Sequence, residues 1–249
     1  MNTQNTPARS TAIALPHDGS HPYDQGDTAS VVDRTQTQRV LRNTYALLSM
    51  TLLFSAAVAA AGVAFKLPAP GLILTLVGTF GLLFAVHKLQ NSGWALPAVF
   101  GLTGFMGYTL GPVLAKTLAL PGGAQTIVLA LAATGATFLA LSAYVLSSRR
   151  DFSFLGGFLF AGMVVALLAG LGAMFFQMPA LGLAATAMVA LLSVGLILFE
   201  TSRIVNGGET NYVLATVGLY VSIFNLFTRL SRLVKRLKID TYRPTVAST

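Results

Sequence analysis

The stretch Ala180–Phe199, ALGLAATAMVALLSVGLILF, contains no charged residue, and Glu200 ends it. A helix of about 20 apolar residues crosses the roughly 30 Å hydrocarbon core of a bilayer, and a soluble domain rarely carries even one such run. Reading outward, comparable runs occupy about residues 43–65, 71–87, 94–115, 124–146, 154–175 and 180–202. A seventh, about 211–230, is shorter and wetter, with Asn211, Ser222, Asn225 and Arg229 among its apolar residues. The expected architecture is therefore all-α, a polytopic membrane bundle.

Composition agrees. Only 10% of the 249 residues are charged and the mean hydropathy is +0.71. Soluble domains carry about a quarter charged residues. Cysteine is absent, which removes disulfides, thiolate metal sites and a cysteine nucleophile. The net charge of +8 sits mainly in the approach to the first span, in alternate turns and in a tail with Arg229, Arg232, Lys235, Arg236 and Lys238. Basic flanks of this kind meet anionic headgroups more often than nucleic acid, and no soluble module remains to bind a nucleic acid.

Residues 1–38 are polar, without apolar period, and read as a disordered tail; residues 39–230 form the membrane domain, and 231–249 a basic C-terminal tail. No cleavable leader is expected, because the first charged-then-apolar segment starts at Arg39 and is too long for one. His17, Asp18 and His21 have a spacing compatible with a metal, but outside helical context they read as solvated tail.

The turns alternate. Pro68 with Pro70, Pro121 and Pro179 mark the links after spans one, three and five, whereas His87 with Lys88, Arg149 with Arg150, and Arg203 mark the others. The chain reads as three helical hairpins plus one segment. By the positive-inside rule the basic links and the N-terminus belong in the cytoplasm. The C-terminus is in conflict with that rule: a full seventh crossing puts the basic tail outside, and a re-entrant segment keeps it inside. The helical pattern from Tyr212 is long enough to cross, so seven spans are expected.

Polar residues inside the runs need reasons. Glu200 is the one carboxylate contiguous with a strong apolar run. It is either an interfacial residue paired with Arg203 or an ion or proton ligand facing the bundle interior. Gly218, Ser222, Asn225 and Arg229 share one helical face, which belongs inside the bundle as interhelical glue or as the lining of a pathway. Gly101, Gly104, Gly107 and Gly111, followed by Pro112, predict close helix contact with a kink or break near the proline. Gly156, Gly157 and Gly162 suggest the same for span five. Catalysis is disfavoured: there is no G-x-S-x-G elbow, no phosphate-cradling loop, and His87 has no evident carboxylate partner. No cofactor and no soluble small-molecule substrate are expected.

Several strings together carry a family resemblance: Val40-Leu-Arg-Asn-Thr-Tyr45, Thr103-Gly-Phe-Met-Gly-Tyr-Thr-Leu-Gly-Pro112, Asp151-Phe-Ser-Phe-Leu-Gly-Gly157, Phe199-Glu-Thr201, Gly207-Gly-Glu-Thr-Asn-Tyr212 and Leu219-Tyr-Val-Ser-Ile-Phe-Asn-Leu-Phe227. The chain resembles the Bax inhibitor (transmembrane BAX inhibitor motif) family from about residue 39 to 230, and is most similar to its bacterial YccA branch. The resemblance implies seven transmembrane helices in the bacterial inner membrane, the last one central. It also implies that the chain binds and modulates the membrane AAA protease FtsH. Other members are calcium-leak or pH-sensitive proteins with an acidic pair on the last two helices. The first acid falls on Glu200; the second falls on Ser222, where this chain has no carboxylate. The resemblance thus leaves a calcium or proton leak as the alternative, with a candidate ion or proton site at Glu200, Ser222 and Asn225.

Overall fold

The computed structural model describes the backbone of residues 24–246 and the side chains of residues 35–237. His17, Asp18 and His21 lie outside the described residues. Among the described residues there are seven helices: α1 (Asp24–Ala64), α2 (Leu72–Leu89), α3 (Ala95–Leu118), α4 (Gly123–Ser148), α5 (Leu155–Phe175), α6 (Pro179–Val205) and α7 (Tyr212–Val246). All seven contain a stretch long and apolar enough to cross a membrane.

Both terminal helices outrun the apolar segments that define them. α1 begins at Asp24 and takes in residues 24–38, which composition alone assigned to a disordered tail. α7 continues through Arg232, Lys235 and Arg236 rather than stopping near residue 230. Once a membrane-buried helix exists, each further residue adds a hydrogen bond without a new nucleus, so polar flanks extend it readily.

α7 is the central element. It packs against α1, α3, α4 and α6, while α2 rests mainly on α3 and α5 on α6. The two peripheral helices present Leu72, Ile73, Phe80 and Phe84, and Phe158, Phe160 and Phe175, outward, as lipid-facing helices must. The interior mixes aliphatic residues with hydroxyls, among them Thr44, Ser55, Thr103, Thr134, Ser193, Thr216 and Ser222. Most of these hydroxyls donate back to their own helix: Thr134 to the Ala130 carbonyl at 2.7 Å, Ser193 to Val189 at 2.8 Å, Thr216 to Tyr212 at 2.7 Å. Bonded this way, a small polar side chain can sit at a tight interface without an orphaned donor.

The glycine stripe of α3 is where α1 docks. A Cβ on Gly107 would run into the Ser55 carbonyl oxygen, and one on Gly111 would stand 3.2 Å from the Ala59 carbonyl oxygen. α3 passes through Pro112 without a break. Proline removes one ladder donor, and the tightly packed neighbour holds the helix together across the gap. In α5, Gly156 and Gly162 lie against Phe199 and Leu192 of α6, but Gly157 faces open space and makes no close approach.

Candidate functional site

The polar residues of the bundle gather on α7 in three tiers. At the start of α7, Asn211 caps the helix: its Oδ1 accepts the Val213 N–H at 2.9 Å. The same side chain donates to Asn91 Oδ1 at 3.0 Å and Gln90 Oε1 at 3.3 Å, tying the α2–α3 link to the central helix. Just before it, Gly207 holds φ at +74°, the left-handed turn that ends α6 and that glycine adopts without strain. Glu209 then folds back. Its carboxylate accepts from Arg203 at 3.0 Å and from the Asn211 N–H at 3.0 Å. The Gly207–Tyr212 string is thus a hydrogen-bonded connector between α6 and α7.

The second tier is Glu200. Its side chain is 16% exposed and projects from α6 onto α7, where a Cβ on Gly218 would stand 2.8 Å from its Cδ. A Cβ at that position would displace the carboxyl group from where it lies against α7. Arg203 approaches Glu200 at 3.9 Å, much farther than Glu209, and its guanidinium also sits 5.6 Å from the Phe199 ring centroid. The expected pairing of Glu200 with Arg203 therefore exists as the loose arm of a three-member network whose tight arm is Arg203–Glu209. Ser222, 3% exposed, lies one turn beyond Gly218 and donates to the Gly218 carbonyl at 2.9 Å.

Asn225 belongs to a different place. It is two turns from Gly218, about 10 Å along the axis at 1.5 Å per residue. There it lines a cavity with Thr75, Lys116, Arg229 and Arg232. The structure brings Glu200 to within one turn of Ser222 and leaves Asn225 outside that neighbourhood. Among the described residues no group of three or more histidine, aspartate or glutamate side chains gathers in one place.

A third polar contact was not signalled by any spacing. Tyr220 on α7 shares a 2.6 Å hydrogen bond with Ser55 on α1 and donates to the Thr103 carbonyl of α3 at 3.3 Å. Ser55 and Tyr220 are 165 positions apart. A lone serine and a lone tyrosine in apolar runs look alike whether they face each other or not.

At the α4–α5 link, Ser202 of α6 accepts the Phe152 N–H at 2.8 Å and donates to the Arg150 carbonyl at 3.2 Å. Hydrogen bonding from the Ser153 side chain and backbone holds the Asp151 carboxyl below its usual range. The basic link Arg149–Arg150 is in this way fastened to the α6 end that carries Arg203.

The family model described as "Inhibitor of apoptosis-promoting Bax1" matches residues 37–238. The chain is 52% identical to "Modulator of FtsH protease YccA" of Escherichia coli over 201 residues, 80% of this chain and 91% of the relative. An uncharacterized protein of Pseudomonas aeruginosa is 50% identical over 202 residues, 81% and 91% of the two chains. An uncharacterized membrane protein of Vibrio cholerae is 45% identical over 204 residues, 82% and 92%. With a family model matched across all seven spans and 52% identity over 201 residues, this chain belongs to the Bax inhibitor family of membrane proteins.

Proposed function

We propose that this chain is a non-enzymatic inner-membrane protein that binds FtsH and modulates its action on membrane proteins, with its N-terminus in the cytoplasm. The observation that carries the reading is 52% identity, across 91% of its length, to a relative described as a modulator of that protease. The charge pattern supports the orientation. Arg39, Arg42, Lys88, Arg149, Arg150 and Arg203 all belong to the end of the bundle from which α1 enters. The polar residues 1–38 would then lie on the face where an ATP-driven protease takes hold of a chain. A bundle closed by glycine contacts and internally bonded hydroxyls offers its outer surfaces for contact.

Photo-crosslinkers placed within residues 1–38 should capture FtsH, and deleting those residues should slow turnover of the chain in cells. No capture together with unchanged turnover refutes the mechanism. A second reading, a calcium or proton leak sensitive at Glu200, has one observation in its favour: the carboxylate faces α7 instead of lipid. Calcium-loaded liposomes decide it. A leak abolished by Glu200→Gln would replace the first reading with this one, and intact liposomes would remove it.

A further inference from the structure

The far end of the bundle, formed by the α1–α2, α3–α4 and α5–α6 links and the last turns of α7, has a charge problem. It carries Lys66, Lys116, Arg229, Arg232, Lys235 and Arg236. Among the residues whose side chains are described no carboxylate lies at this end, although Asp240 follows farther along α7, and the described ion pairs all involve Arg203 at the other end. Like charges one turn apart on α7, at Arg229 and Arg232, repel each other across a region of reduced dielectric.

The cations are not simply splayed into water. A cavity of about 360 Å³ opens between the start of α2, the end of α3 and α7, lined by Thr75, Lys116, Asn225, Arg229 and Arg232. That size is at the low end of the roughly 300–1,000 Å³ typical of ligand sites. Arg229 is half-buried in its wall, and its Nε is shielded from solvent with no hydrogen-bond partner. A buried guanidinium donor left unpaired is costly, and such groups are normally satisfied by an anion or by water. The side-chain amide of Asn225 also lines the cavity and adds a neutral donor. Leu72 and Val113 also line the wall, and both are exposed on the outer surface.

We propose that this cavity binds the phosphate of an anionic phospholipid, held by Lys116, Arg229 and Arg232 with Asn225 as an additional donor. Arginine forks match the oxygens of a phosphate in bidentate fashion, and the group supplies negative charge to a cavity whose lining has three cations and no carboxylate. The exposed Leu72 and Val113 at the wall place acyl chains where a free phosphate would find only grease. With the N-terminus inside, as proposed above, the lipid belongs to the outer leaflet. A basic tail stranded against the positive-inside rule then has its counter-charge from the bilayer itself.

The test uses the full chain in neutral detergent, titrated with phosphatidylglycerol, phosphatidylcholine or inorganic phosphate, with binding read by native mass spectrometry and by thermal shift. Phosphatidylglycerol should bind at least tenfold more tightly than phosphatidylcholine and raise the melting temperature. Lys116→Gln and Arg232→Gln should each weaken it about fivefold, the factor that corresponds to about 1 kcal/mol per basic residue at an anionic surface. Arg149→Gln with Arg150→Gln, at the opposite end, should leave binding unchanged. Equal affinity for the two lipids, equal loss in the opposite-end variant, or saturation by inorganic phosphate in place of lipid would each overturn the proposal.

Discussion

Replacing Gly107 by alanine adds one methyl group where the α1 backbone already stands. The new Cβ would meet the Ser55 carbonyl oxygen and sit 2.9 Å from Ser55 Oγ, so α1 and α3 must separate. Backbone cannot turn aside as a side-chain tip can. Overpacking of this kind costs about 1–3 kcal/mol. Separation also pulls Ser55 from Tyr220, a bond of 2.6 Å whose loss adds about 0.5–1.5 kcal/mol. Alanine returns up to about 1 kcal/mol of helix propensity, leaving a net destabilisation of about 1–3 kcal/mol. Gly101, two turns earlier on the same stripe, gives the control. A Cβ there meets only Leu82 Cδ2 at 3.8 Å, an ordinary contact, so Gly101→Ala keeps the propensity gain and should be neutral or stabilising. Thermal unfolding in detergent should show Gly107→Ala lowered by about 2–12 °C, at roughly 2–4 °C per kcal/mol for a chain of this size, and Gly101→Ala unchanged or raised. The reasoning fails if Gly107→Ala melts at the wild-type temperature or if Gly101→Ala is the more damaging of the two.

Asn211→Ala removes the α7 cap and the bonds to Asn91 and Gln90, for about 1–3 kcal/mol. Hydrogen exchange should quicken at the Val213 and Leu214 amides before anywhere else in α7. Tyr220→Phe should cost about 1–2 kcal/mol through Ser55 and Thr103, and combining it with Ser55→Ala should cost less than the sum, since both delete one bond. Asp151, its carboxyl held low by Ser153, favours the folded link fully at neutral pH; that contribution is lost as pH falls through the depressed value. A carboxyl titration by NMR should place its midpoint below about 3.9, and a midpoint above that would contradict the turn geometry.

Span number and order were legible because lipid imposes one length and one polarity on every crossing. The α3 stripe stands out in sequence by steps of three and four, Gly104 to Gly107 to Gly111, yet Gly101 on the same stripe makes no close approach. Gly157 shows the limit: a glycine on a helix has the same letter whether it faces a neighbour or lipid. The helix ends were missed at Asp24 and beyond Leu230, because hydropathy marks where a helix is greasy and not where it stops. The single-face stripe Gly218, Ser222, Asn225 and Arg229 was read from periodicity, but its partition between a Glu200 contact and a basic cavity depends on which helices flank each half. Periodicity within one helix carries no information about its neighbours.

Whether Glu200 binds a cation or acts as a latch between α6 and α7 turns on Arg203. A divalent cation takes six to eight oxygens, and its affinity rises with the number of charged ligands. Near Gly218 the structure offers one carboxylate, a serine whose proton is committed to a carbonyl, and a guanidinium 3.9 Å away that repels any cation. A latch requires none of those ligands. It requires room against α7, which Gly218 provides, and a second anchor, which Arg203 provides through Glu209. The two roles give opposite signs for one substitution. If Glu200 holds an ion, Arg203→Gln removes the repelling charge and should tighten calcium binding, while Glu200→Gln abolishes it. In the latch reading neither variant binds calcium, and Arg203→Gln is the more destabilising, by about 1–3 kcal/mol, because it also takes from the partly buried Glu209 its charged partner and leaves that carboxylate only the Asn211 N–H. Calcium titration and melting of the two variants side by side decide the matter. Tighter calcium binding in Arg203→Gln would refute the latch.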